Sequence, residues 1–164
     1  MDESHEITLT LNGERVRARV APRTHLVDFL RLDQGLTGSH VGCEQGVCGA
    51  CTIRVDGVAV RGCLMLAVQA DGTRVDTVEG LSDSGVLAEL QRAFHERNAL
   101  QCGYCTPGML IAALELVERD TAPLREQIRA HLSGNYCRCT GYHAIVDAVA
   151  TVIAARRAAR AGAA

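Results

Sequence analysis

The sequence predicts an α+β chain in which a strand-rich half precedes a helical one, and three observations carry that reading. Two dipeptides, Asn12-Gly13 and Asp56-Gly57, each join two short segments of β character. That is a strong local signal for a hairpin, because both turn residues tolerate positive φ. Beyond residue 85 the apolar residues recur at three- and four-residue steps, as they do on helices. Between the two hairpin signals, Cys43, Cys48 and Cys51 crowd into one loop with glycines at 42, 46 and 49.

Taken in order, Ile7 to Leu11 and Val16 to Val20 alternate about Asn12-Gly13 and form the first predicted hairpin, with Arg15, Arg17 and Arg19 on its solvated face. Thr24 is placed to cap a helix from His25 to Leu32, turning Leu26, Phe29 and Leu30 inward and leaving His25 at the surface. Residues 35–42 lead as a loop into the cysteines. Thr52 to Val55 and Val58 to Val60 form the second hairpin, which returns Cys63 towards the first three thiols. Thr73 to Thr77 is a last strand, so the first unit is expected to span residues 1–77. Residues 78–84, with Gly80, Ser82, Asp83 and Ser84, read as a polar linker, and residues 85–164 as the second unit.

In that second unit Val86, Leu87, Leu90 and Phe94 define one helix. Thr106-Pro107 predicts a hydroxyl cap followed by proline at the first helical position, leading into Met109, Leu110, Ala113, Leu114 and Val117. A shorter helix spans Leu124 to Leu132, and a last one runs from Tyr142 to Arg157 with Ile145, Val149, Val152 and Ile153 on one side. The stretch from Ala154 to Ala164 is expected to fray. Arg156, Arg157 and Arg160 suit the C-terminal dipole without needing a partner. Four short helices on short connections predict a small bundle.

The spacing C-x4-C-x2-C, with Cys63 after one hairpin, is the plant-type pattern for a [2Fe–2S] cluster. Soft thiolate sulfur matches iron in a sulfide-bridged cluster. Glycines let the chain wrap closely enough to bring N–H groups to the sulfurs. Zinc or disulfides are the competing readings, but zinc ribbons usually present two separated C-x2-C pairs. The other four cysteines, Cys102, Cys105, Cys137 and Cys139, lie in two connections that an up-down bundle places at one end. The C-x-C pair turns both thiols to one face only if locally extended, and Asn135 and Gly141 bracket it with turn-forming residues. By spacing alone this second set fits iron–sulfur, zinc or a redox-active C-x2-C pair.

Eight cysteines, no apolar leader in the acidic N-terminus and no window apolar enough for a membrane helix predict a cytoplasmic, metal-binding protein without membrane insertion. A net charge of −2 gives no footing for nucleic acid, and aromatics at 3% leave Leu, Val, Ala and Ile to fill the core.

The runs GSHVGCEQGVCGACTIRVDG, QCGYCTPGM and GNYCRCTGYHAIV make the chain resemble, from about residue 5 to 155, the small iron–sulfur subunit of the xanthine oxidase family of molybdenum hydroxylases. That family includes carbon monoxide dehydrogenase and the quinoline-type and aldehyde oxidoreductases. The resemblance implies an N-terminal β-grasp ferredoxin-like domain followed by a four-helix bundle. It implies two [2Fe–2S] clusters, one on Cys43, Cys48, Cys51 and Cys63, the other on Cys102, Cys105, Cys137 and Cys139. It implies a large subunit holding molybdopterin beside the second cluster, a medium subunit holding FAD nearer the first, and a dimer of such heterotrimers. Gln101 matches the position that contacts the pterin, and Cys139 the ligand nearest to it. Electrons would then pass singly from the molybdenum centre through two clusters to the flavin. Arg138, between two ligands, is expected either to favour the reduced, more negative form of the second cluster or to pair with a carboxylate of a partner.

No acid, base and nucleophile assemble into a reaction centre. His40, His95, His131 and His143 lack companions at ligand spacing, and Tyr104 and Tyr136 are expected to shield the second cluster from water. A free-standing ferredoxin-like carrier and a zinc-binding interaction module are the alternatives. The first would usually carry a strongly acidic docking face, which −2 does not supply.

Overall fold

The computed structural model describes residues 4–119 and 121–162. Strand β1 (His5–Leu11) turns through Asn12 (φ 51°) and Gly13 (φ 89°) into β2 (Glu14–Val20), pairing antiparallel from His5↔Val20 to Leu11↔Glu14. Asp56 (φ 49°) and Gly57 (φ 82°) do the same for β3 (Thr52–Val55) and β4 (Val58–Arg61). The last strand, β5 (Arg74–Asp76), runs parallel to β1 and antiparallel to β3, giving a mixed sheet of order β2-β1-β5-β3-β4. Helix α1 (Leu26–Asp28) continues as a π-helical turn over Phe29–Asp33 and buries Leu26, Phe29 and Leu30 against Ile7, Leu9, Ile53 and Val75. A 3₁₀ turn over Ala67–Ala70, absent from the sequence reading, closes the same core.

The helical half comprises α2 (Val78–Asp83), α3 (Ala88–Glu96), α4 (Thr106–Glu118), α5 (Arg125–Leu132) and α6 (His143–Ala161). Helix α4 is apolar on nearly every side, buried from Gly108 to Leu114 and again at Leu116 and Val117. Such a helix must be surrounded, and it is, by β3 and β4 of the sheet and by α2, α3, α5 and α6. Two cores result: the sheet's own, and a helical one that includes Leu90, Phe94, Met109, Leu114, Ile128, Leu132, Ile145 and Val149.

Several local expectations are corrected. Thr24 does not cap α1; a β-bridge between His25 and Leu66 keeps His25 extended (ψ 145°), so the helix begins one residue later than a Thr24 cap requires. His25 is half-buried, not a surface residue. The residues read as a linker, 78–84, form α2, whose Leu81 joins the helical core. Val86 is 39% exposed and Leu87 takes the inward place, after Gly85 turns the chain at φ +78°. Helix α4 starts on the Cys105 carbonyl, which accepts from Met109 N–H, so Thr106 lies inside the first turn and its hydroxyl caps nothing. The C-terminal stretch is helical to Ala161, and Arg156 donates to Glu89 at 2.6 Å; residues 163 and 164 lie outside the described residues.

Candidate metal centres

The first four thiols are gathered by the loop before β3 and the end of β4. Gly62 N–H donates to Cys51 O at 3.1 Å, which sets Cys63 beside Cys51. Both are buried, at 1% and 2% exposure, against Val27, while Cys43 and Cys48 are half-buried. Cys48 N–H points at the Cys43 sulfur at 3.3 Å. That contact and the N–H of Gln45 draw the Cys43 thiol down to about 6, whereas burial, with Cys63 alongside, pushes Cys51 up to about 11. Of the loop glycines, Gly46 and Gly49 take positive φ and Gly42 does not. Gly42 is needed for space instead, since a Cβ there would lie 3.0 Å from the Cys48 sulfur.

The second set meets at the helical half's loops. Cys102 and Cys105 precede α4, Cys137 and Cys139 precede α6, and the Cys102 and Cys139 sulfurs stand 3.6 Å apart. Burial, then the neighbouring Cys137 thiol, pushes Cys105 up to about 12. Burial also raises Cys137, but the Thr140 hydroxyl and the N–H groups of Thr140 and Cys139 outweigh it and lower the thiol. Cys102 and Cys139 are exposed while Cys105 and Cys137 are half-buried, so the set has an open edge and a closed one. Gln101 stands at the open edge, its carboxamide donating to Cys139 O at 3.1 Å. Arg138 is exposed.

Each set fits a thiolate-bound cluster: four free thiols, no disulfide among them, and N–H groups aimed at sulfur. Among the described residues no three His, Cys, Asp or Glu side chains are gathered as a site for one metal ion. The two findings are compatible, because a [2Fe–2S] cluster spreads four thiolates over two irons instead of focusing them on one.

Sequence reasoning missed what lies between the sets. Tyr136 N–H donates to Cys48 O at 2.7 Å, so a residue adjoining Cys137 bonds directly to one of the first four cysteines. Beside it Asn135, 2% exposed, donates to Gly49 O at 3.0 Å and Thr52 Oγ1 at 3.1 Å. Arg61 donates to Gly134 O at 2.7 Å and Asn135 Oδ1 at 3.3 Å. His40 stacks on Tyr104 with centroids 4.5 Å apart, shares a 2.7 Å contact from its Nδ1 to Tyr104 O, and Tyr104 OH donates to Val41 O at 2.8 Å. His40 and Tyr104 together tie loops, with Tyr104 remaining 48% exposed. His131 and His143 also have partners, Glu115 at 3.4 Å and Asp147 at 3.5 Å. Asn135 was legible in sequence only as a turn former, and Tyr104 and Tyr136 only as neighbours of cysteines.

Comparison with known proteins accounts for both sets. Residues 9–88 match the family described as "2Fe-2S iron-sulfur cluster binding domain" and residues 77–150 the "[2Fe-2S] binding domain" family. The chain is 53% identical over 155 residues to caffeine dehydrogenase subunit gamma of Pseudomonas sp. (strain CBB1), covering 91% of each. It is 56% identical over 144 residues to the nicotine 6-hydroxylase small subunit of Paenarthrobacter nicotinovorans, covering 88% of this chain and 87% of that one. The crystal structure of quinoline 2-oxidoreductase from Pseudomonas putida 86 superposes with a TM-score of 0.86 at 52% identity, over 94% of this chain and 98% of that one. With two successive [2Fe–2S] folds and relatives of this kind along almost its whole length, the chain belongs to the small iron–sulfur subunits of the xanthine oxidase family of molybdenum hydroxylases.

Proposed function

We propose that this chain is the electron-relay subunit of a heterotrimeric molybdenum hydroxylase, holding one [2Fe–2S] cluster on Cys43, Cys48, Cys51 and Cys63 and another on Cys102, Cys105, Cys137 and Cys139. The observation that carries the reading is the 2.7 Å hydrogen bond from Tyr136 N–H to Cys48 O, which joins the two thiol sets through backbone. When bound, each cluster supplies storage for one electron. The chain's own residues do the rest. Val27 packs on Cys51 and Cys63 and excludes water from that side. The Arg61–Asn135 contacts fix the two loops relative to each other. The open edge at Cys102, Cys139 and Gln101 faces a large molybdopterin-binding subunit, with Gln101 as the pterin contact, and the first set faces a medium FAD-binding subunit.

The assembly is a dimer of heterotrimers in the cytoplasm; no helix among the described residues is long and apolar enough to cross a membrane. The chain divides at the last strand, residues 1–77 and 85–164 each serving one cluster, with α2 between them. Caffeine, nicotine and quinoline, which name the relatives, are nitrogen-containing ring compounds, and a molecule of that class is the substrate of the large subunit. A free-standing carrier is not favoured, because the chain's relatives are subunits.

The test is iron analysis with paramagnetic resonance on the dithionite-reduced complex. About four irons per chain and two distinct signals are expected. Cys63→Ala and Cys105→Ala should each lose a different signal. A colourless, zinc-containing protein, or loss of the same signal in both variants, overturns the reading.

A further inference from the structure

We propose that Thr140 sets the reduction potential of the second cluster by donating its hydroxyl hydrogen to the Cys137 sulfur; the inference rests on Cys137 being a ligand there. Thr140 Oγ1 lies 3.1 Å from Cys137 Sγ, and Thr140 N lies 3.4 Å from the same sulfur. A threonine hydroxyl has one hydrogen to give. Its oxygen already accepts from Tyr142 N–H at 3.2 Å, so the hydrogen is turned towards the sulfur.

The donor is held in place from both sides. Tyr142 takes a left-handed conformation, φ +68°, and its phenol accepts from Cys137 N–H at 2.8 Å while donating to Asn135 O at 3.0 Å. The ring packs on the helical core. Residues 135–142 thus close into a loop in which Cys137, Thr140 and Tyr142 fix one another. Cys137 and Thr140 are both half-buried, so water screens their contact less than it screens the exposed charge of Arg138.

Reduction adds one electron and breaks no bond in this contact. It makes the ligand sulfur more negative, and a hydrogen bond to that sulfur strengthens, favouring the reduced form. At the first set the Cys43 sulfur is met by backbone N–H groups and a neighbouring thiol, without a hydroxyl. Thr140 therefore acts on one cluster and not the other, which biases where a single electron rests.

The experiment is a redox titration of the purified complex followed by paramagnetic resonance. Thr140→Val should lower the second cluster's potential by about a tenfold change in its reduced-to-oxidised ratio, ~59 mV for one electron. The first cluster should not move, and Thr140→Ser should restore the wild-type value. An unchanged second potential with both signals present, or equal movement of both clusters, overturns the inference. Should Thr140→Val not hold the cluster, Thr140→Ala and Thr140→Ser decide: a lower potential in Ala than in Ser supports the inference and equal potentials overturn it. Cys137→Ala tests the underlying assignment separately. Retention of both signals there removes Cys137 as a ligand, whatever Thr140 does.

Discussion

Thiols of one chemical type are pushed in opposite directions by their surroundings, and the metal-free protein should reveal this. Cys43, with N–H donors at its sulfur and its thiol lowered to about 6, is mostly thiolate at neutral pH. Burial holds Cys51 near 11 and Cys105 near 12, so both stay protonated there. Thiolate is the nucleophile. Iodoacetamide at neutral pH should therefore label Cys43 before Cys51 and Cys105, with the Cys43 rate falling as pH drops through about 6. Peptide mass mapping that finds Cys51 or Cys105 modified first would contradict this. The gathering of the cysteines into two sets was legible in the sequence because their spacing is local. Arg61 and Thr140 were not: Arg61 sits in an ordinary strand, and the acceptors it reaches in the helical half, Gly134 and Asn135, lie more than seventy residues away. The two threonine caps failed for a related reason, since a β-bridge at His25 and an earlier helix start at Cys105 overrode the local preference.

Helix α4 is the element on which both sets depend, because its start carries Cys105 and its first turn, at Gly108, presses on the first loop. A Cβ at Gly108 would lie 2.3 Å from Gly49 O, and one at Gly49 would lie 2.5 Å from Gly134 O. Neither obstacle is a flexible side-chain tip. Gly108→Ala is expected to lower stability by about 1–3 kcal/mol, as overpacking does, and to weaken iron retention at both sets. A thermal melt of Gly108→Ala matching wild type would show that the helix and loop slide apart freely. Hairpins were legible because Asn12-Gly13 and Asp56-Gly57 specify their own backbone. Helix α2 was not, because its stretch is polar except where Val78 and Leu81 meet a core built from distant residues.

At the scale of the molecule, two apolar cores meet across a polar seam. Arg61, Asn135, Gly49 and Thr52 line its buried part, and Arg54 grips Glu118 with two contacts of 3.0 Å at its outer end. Removing the Asn135 carboxamide takes away the bonds it donates to Gly49 O and Thr52 Oγ1 and the one its Oδ1 accepts from Arg61, at a cost of about 0.5–1.5 kcal/mol each. Calorimetry of the wild-type chain should give one transition, and Asn135→Ala should lower it or split it in two. An Asn135→Ala trace superposable on wild type would mean that the seam contributes nothing. The architecture of strands followed by helices was readable from periodicity, whereas the seam was not, because none of its residues repeats with any period.

That seam is a weld, not a hinge. Because its groups are satisfied from both sides, the angle between the exposed Cys102–Cys139 edge and the first loop is built in before any partner arrives. In the trimer proposed above the chain would serve as a rigid jig: seating one neighbour on the open edge would dictate where the other must stand. Shape, as much as sulfur, would then govern which subunits it can serve.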